Sequence, residues 1–172
     1  MTLSLRLVAL MSCCLFVFAC TAHYAQSPEE WVSYHKQGTL LRGTKTVEVT
    51  RPKKAVEADL AEYASKCVDG MITASRSQQG MQLEASKVQY AAKLKASGEG
   101  KTMLSIHTKA ITGLSVAKGA HPDGDFFFVS EIQPVGPRTT KITNYYLTMS
   151  APFADEIVEW ANGVKKKCPK TR

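Results

Sequence analysis

The residues between Arg6 and Cys20 set the terms on which the rest of the chain must fold. Arg6 is followed by twelve uncharged, mostly apolar residues, Leu7 to Phe18, and then by Ala19 and Cys20. A short basic start, an apolar segment of that length and a small residue at its end make the layout of a secretory signal. The predicted domain therefore begins near residue 20 and folds across a membrane, where thiols are oxidised. Two other outcomes are open. Cleavage after Ala22 or Ala25 releases a soluble secreted or periplasmic protein. Retention of Leu7 to Ala25 makes a membrane span, but a span needs ~20 apolar residues, and His23 falls within this one.

The tetrapeptide Val17-Phe18-Ala19-Cys20 resembles the lipobox of bacterial lipoproteins, with an aliphatic residue three before the cysteine and a small one just before it. The resemblance implies that Cys20 becomes the mature N-terminus and carries acyl chains. One buried chain anchors marginally, at about 0.8 kcal/mol per CH₂, and two or more hold firmly. Thr21 stands where an aspartate would imply retention at an inner membrane. The resemblance therefore implies outer-membrane placement in a cell with two membranes.

About 150 residues remain from Cys20 onward, enough for one domain with a sizeable core. The organisation expected is a signal over 1–19, a tether and short helix over 20–43, and a single α+β domain over 44–172. Without Arg6, the formal charge of +7 becomes +6. A basic surface favours anionic partners such as lipid headgroups. Partners expected are the membrane, anionic envelope components or another envelope protein, and no nucleic acid. Of five cysteines, Cys13 and Cys14 fall in the signal and Cys20 is the acylation candidate. Cys67 and Cys168 are left as a disulfide pair or as two buried thiols. A bridge would close a loop of about 100 residues, which the chain-entropy model values at ~4–5 kcal/mol.

Along the chain, Ser27-Pro28-Glu29-Glu30 reads as a capped helix start, with Gly38 as its stop. His35 is expected exposed or partly buried on that helix. Lys45 to Thr50 alternates as a strand. Pro52 opens a helix whose stripe is Val56, Leu60, Tyr63, Ala64, Cys67, Val68 and Met71, stopped near Gly70. Ser75 to Gly80 is a polar break. Lys87 to Ala96 fits period two at every position and is predicted as a strand, although its alanines permit helix. Ser97 to Gly100 turns into a strand over 101–109, and a short strand is expected at Leu114–Ala117. His121-Pro122-Asp123-Gly124 is a turn before a strand at Asp125–Ile132, broken by Pro134 and Gly136-Pro137. Thr139 to Met149 forms a last strand. The final helix starts near Pro152, buries Phe153, Ile157, Trp160, Ala161, Val164 and Cys168, gathers Lys165–Lys167 in its last turn and stops at Pro169.

This predicts an α+β fold, a curved antiparallel sheet of about five to six strands on a long C-terminal helix. The order resembles the helix-grip arrangement of Bet v 1 and START-like domains. The resemblance implies a cavity between sheet and helix, lined by Phe126, Phe128, Tyr146 and Trp160, that suits an apolar ligand. The competing expectation is that these rings simply fill the core.

Motifs for catalysis are sparse. Ser97-Gly98-Glu99-Gly100-Lys101-Thr102 ends like a P-loop, but Lys95 stands where the first glycine belongs and a strand follows. No cofactor is expected. Asp123-Gly124-Asp125 fails as a calcium loop, since its twelfth position is Pro134, and no histidines or cysteines are spaced as metal ligands. Ser105 and His107 share one strand face without an evident acid. The reading is a non-enzymatic, lipid-anchored envelope protein with a binding or assembly role, and its alternative a binder of a hydrophobic small molecule. A histidine, an acid and a hydroxyl converging in one cleft would argue for an enzyme instead.

Overall fold

The computed structural model describes residues 25–38, 42–75, 86–111, 122–164 and 168. Helix α1 spans Pro28–Lys36, with Ser27 Oγ accepting from the Glu30 amide at 3.1 Å. Strand β1 (Arg42–Val49) begins three residues before the expected alternation. Helix α2 (Lys53–Tyr63) continues into a π-helical turn, Ala64–Val68, closed by the Asp69 amide on Ala64 O at 2.8 Å. Then come β2 (Ile72–Ser75), β3 (Ser86–Ala96), β4 (Thr102–Ala110), β5 (Asp125–Gly136) and β6 (Thr139–Leu147). A 3₁₀ turn, Thr148–Ser150, leads into helix α3, Ala151–Ala161. The segments at Leu114–Ala117 and Lys165–Lys167, and His121, lie outside the described residues.

All six strands form one antiparallel sheet in the order β1-β6-β5-β4-β3-β2. The β3–β4 turn bends where expected, with Glu99 and Gly100 both at positive φ. The inner face carries α2 and α3. Its core joins Val56, Leu60, Tyr63 and Val68 of the α2 segment to Leu104, Ile106, Phe128, Ile132 and Ile142 of the sheet and to Ile157 and Trp160 of α3. Burying each large side chain contributes about 1.5–3 kcal/mol. The fold is thus α+β, an antiparallel sheet held against a C-terminal helix.

Three features depart from the sequence expectation. First, α3 stops at Ala161 because Gly163 adopts a left-handed conformation, φ +82°, a conformation that closes helices. Val164 is therefore exposed and Cys168 is not on a helical stripe. Second, β5 runs through Pro134 to Gly136. Its β4 pairing ends at Ile132, so Pro134 pairs only with β6, opposite Thr140. A proline is tolerated where one strand edge is locally open. Third, β2 begins two residues after Gly70, where no strand was expected. The π turn brings Cys67 to Cys168, and the two are joined by a disulfide with Cα atoms 4.9 Å apart.

One buried polar contact links the two helices. Tyr63 donates its hydroxyl to Glu156 Oε2 at 2.7 Å. Burial raises the Tyr63 phenol well above its ordinary range, and Glu156 adds to the rise. Burial also raises the Glu156 carboxyl, the Tyr63 bond opposes that, and Glu159 and Asp155 add to it. An acid whose folded pKa lies above its unfolded one holds its proton more tightly when folded. Its contribution therefore falls as pH rises from the unfolded value toward the folded one. Glu156→Gln should gain stability relative to the wild type as pH goes from about 4 to 7, read from urea midpoints. A constant difference across that window would contradict this.

Candidate functional site

Helix α1 crosses the outer face of the sheet. Val32, Met103, Phe126, Val129 and Tyr145 form a second, smaller core beneath it, joined by Trp31 and Tyr34. Both helix ends are fastened by polar bonds. Ser97 Oγ donates to Glu29 Oε1 at 2.7 Å, Arg42 donates to the Tyr34 carbonyl, and His35 Nε2 donates to Gly43 O at 2.9 Å. The Ser97 bond, set against partial burial, holds the Glu29 carboxyl below its usual range.

His35 is fully buried, only 5% accessible, where the sequence led us to expect an exposed or partly buried side chain. It lies between the rings of Trp31, centroids 5.0 Å away, and Tyr145, 5.6 Å away. Burial pushes its pKa down, the Gly43 bond opposes, and Arg42 reinforces the fall. Because the Gly43 carbonyl can only accept, Nε2 carries a proton, and Nδ1 is buried without a hydrogen-bond partner.

Clefts open on either side of α1. Beside its C-terminal end, a groove of about 500 Å³ is lined by His35, Lys36, Arg42 and Lys141 with the hydroxyls of Thr44, Thr46 and Thr143. These side chains share a face because outward residues recur every second position on β1 and β6, and Thr46 pairs with Thr143. No carboxylate lines the groove among the described residues, and Glu48, opposite Lys141, borders it. The Lys36 ammonium sits 5.5 Å from the Tyr145 ring centroid, within cation–π range. Beside the N-terminal end, a cleft of about 250 Å³ is lined by Ser105, His107, Lys93, Lys95, Asp123 and Phe126, among others.

The residues expected to line a sheet–helix cavity separate. Phe128 and Tyr146 lie on the sheet face that carries α3, the helix to which Trp160 belongs, but all three pack on neighbours. Phe128 stacks on Tyr146 at 6.1 Å and lies 6.4 Å from Phe153, and Trp160 lies 5.5 Å from Tyr63. Phe126 is on the opposite face, under Trp31 and against His107. The cause is a bulge. β4 pairs Ile106 with Phe128 but His107 with Phe126, so Phe127 has no direct partner there and its neighbours change sides. Cys20 lies outside the described residues. Among those residues, no cluster of histidine, cysteine or carboxylate side chains could hold a metal ion, and no helix is long and apolar enough to cross a membrane.

Sequence reading passed over the cationic groove and the buried state of His35. The alternation Arg42-Thr44-Thr46-Glu48 was a visible signal for a polar outer face. The position of α1 over that face was not.

No family model and no curated protein matches the chain. Solved structures similar to it include a conserved protein from Geobacillus kaustophilus, 14% identical over 72% of this chain and 91% of that one, TM-score 0.37. A START superfamily protein from Mycobacterium smegmatis is 14% identical over 72% and 95%, TM-score 0.36. Norcoclaurine synthase from Thalictrum flavum is 12% identical over 72% and 92%, TM-score 0.36. At such scores these likenesses say nothing of activity.

Proposed function

We propose that the chain is an exported protein held to an envelope membrane by acyl chains on Cys20, and that its domain binds a phosphate-bearing envelope component in the groove beside the C-terminal end of α1. The groove itself carries this reading: Lys36, Arg42 and Lys141 surround three threonine hydroxyls, with no carboxylate among its lining residues. Cations and hydroxyl donors on a rigid sheet are what a phosphate oxygen requires. The Cys67–Cys168 bridge suits an oxidising compartment, and the Val17-Phe18-Ala19-Cys20 box suits acylation. The alternative of an apolar ligand between sheet and α3 keeps the fold, but the rings that would line its cavity are occupied with one another.

The test uses a Cys20→Ser protein, so that no acyl chain contributes, and vesicles with and without phosphatidylglycerol. Each lysine near an anionic surface is worth about 1 kcal/mol. Adding Lys36→Ala and Lys141→Ala should therefore weaken sedimentation with the anionic vesicles about 10–30-fold. Unchanged sedimentation would reject the groove. Failure of the protein with Cys20 intact to incorporate labelled palmitate would reject the anchor.

A further inference from the structure

Ser105 and His107 project from β4 into the cleft beside the N-terminal end of α1. Both side chains are more than nine-tenths buried, at 4% and 2% accessible. Ser105 Oγ lies 3.1 Å from His107 Nε2, and His107 Nδ1 lies 3.2 Å from the Gly124 carbonyl oxygen. A carbonyl can only accept, so Nδ1 carries the proton and donates it to Gly124 O. In the neutral ring Nε2 then carries no proton, and the Ser105 hydroxyl donates to it. The Phe126 ring, 4.3 Å from the imidazole, packs against it. This is a hydroxyl paired with an oriented base, with a backbone carbonyl in the place of the usual acid. Asp123, ion-paired with Lys93, lines the same cleft. The acid that the sequence did not place beside Ser105 and His107 thus lines the cleft into which they project.

We infer that Ser105 is a nucleophile and His107 its general base, in a site that transfers a small acyl group from a carboxylic ester to water. The Ser105 oxygen bonds to the ester carbon while its proton passes to His107 Nε2 and the carbonyl pair moves onto oxygen. When that pair returns, the bond to the alcohol oxygen breaks, and the alcohol leaves with the proton from Nε2. Water repeats the sequence. Its proton goes to Nε2, its oxygen bonds to the acyl carbon, and Ser105 departs with the proton restored. The sum is ester and water giving acid and alcohol. The size of the cleft limits the acyl group, since about 250 Å³ is below the ~300–1,000 Å³ of usual ligand clefts. The lining sets Lys93 and Lys95 against Glu29 and Asp123, so its formal charges balance and it selects no sign of charge in the ester. This site lies at the other end of α1 from the cationic groove, and neither depends on the other.

A fluorophosphonate probe on the folded full chain tests this. One adduct, mapped by mass spectrometry to Ser105 and absent in Ser105→Ala, is the expected result. His107→Gln should slow labelling at least about 100-fold, the smallest usual contribution of a general base, with the near-ultraviolet circular dichroism unchanged. No adduct at Ser105, or an equal rate in His107→Gln, overturns the inference. If His107→Gln does not fold, Ser105→Cys replaces it. Iodoacetamide should then alkylate the new thiol at pH 7 faster than it alkylates a free cysteine peptide, and a rate equal to or below that of the peptide overturns it.

Discussion

Replacing both Cys67 and Cys168 by alanine is expected to lower the free energy of unfolding by about 5 kcal/mol. The bridge joins residues 101 positions apart, and a loop near that length is worth ~4.7 kcal/mol in the chain-entropy account. Cys67 is also buried in the main core, so its truncation adds a small packing loss. At roughly 2–4 °C per kcal/mol for a domain of this size, Tm should fall by about 10–20 °C. Reduction of the wild type without unfolding should reproduce most of that. Because the constraint acts on the unfolded chain, the urea slope should rise as the freed chain expands. A loss under about 1 kcal/mol would mean that the bridge contributes little beyond closing an already compact unfolded state.

The second large effect is expected at Gly124. Its φ of +100° is a conformation that side chains rarely adopt. A β-carbon there would lie 2.3 Å from Thr108 O and 2.7 Å from Thr108 C, both backbone atoms of the paired strand. Relief requires that the turn and β4 separate, at the point where Thr108 pairs with Asp125. Gly124→Ala should cost about 3 kcal/mol, the upper end for one strained backbone position, or roughly 6–12 °C in Tm. It should also draw the Gly124 carbonyl away from His107, so labelling of Ser105 should fall with it. Gly98→Ala is the control, since nothing lies within 4 Å of its would-be β-carbon. Equal melting of the two variants would contradict the close approach.

What could be read before folding was mostly local. Ser27, Pro28 and Glu30 announced α1 because a cap and its partner lie within one turn. Period-two alternation marked β3 because its side chains answer to one covered face. The helical stripe from Val56 to Val68 was equally legible, although not the widening to a π turn that aims Cys67. The misses arose where a partner strand or a backbone conformation overruled the pattern. The apolar stripe of α3 continued in sequence to Cys168, while Gly163 ended the helix in space. Pro134 read as a break because the sequence does not reveal that β4 is already spent at Ile132. Phe126 and Phe128 looked co-facial because a bulge across from Ile106 and His107 cannot be seen in β5 alone. The candidate sites were harder still. Ser105 and His107 could be placed on one face, but the Gly124 carbonyl that fixes the imidazole comes from a turn 17 residues away.

The bridge also decides how the molecule would answer a mechanical load. β2 through α3 lie between Cys67 and Cys168, while α1, β1 and α2 precede the first of them. Tension applied on the N-terminal side of Cys67 and the C-terminal side of Cys168 therefore runs along the N-terminal elements and crosses the sulfur–sulfur bond. The central five strands are bypassed. Pulling would peel α1 and β1 and unwind α2 and then halt, and only a reductant would let the remaining length pay out.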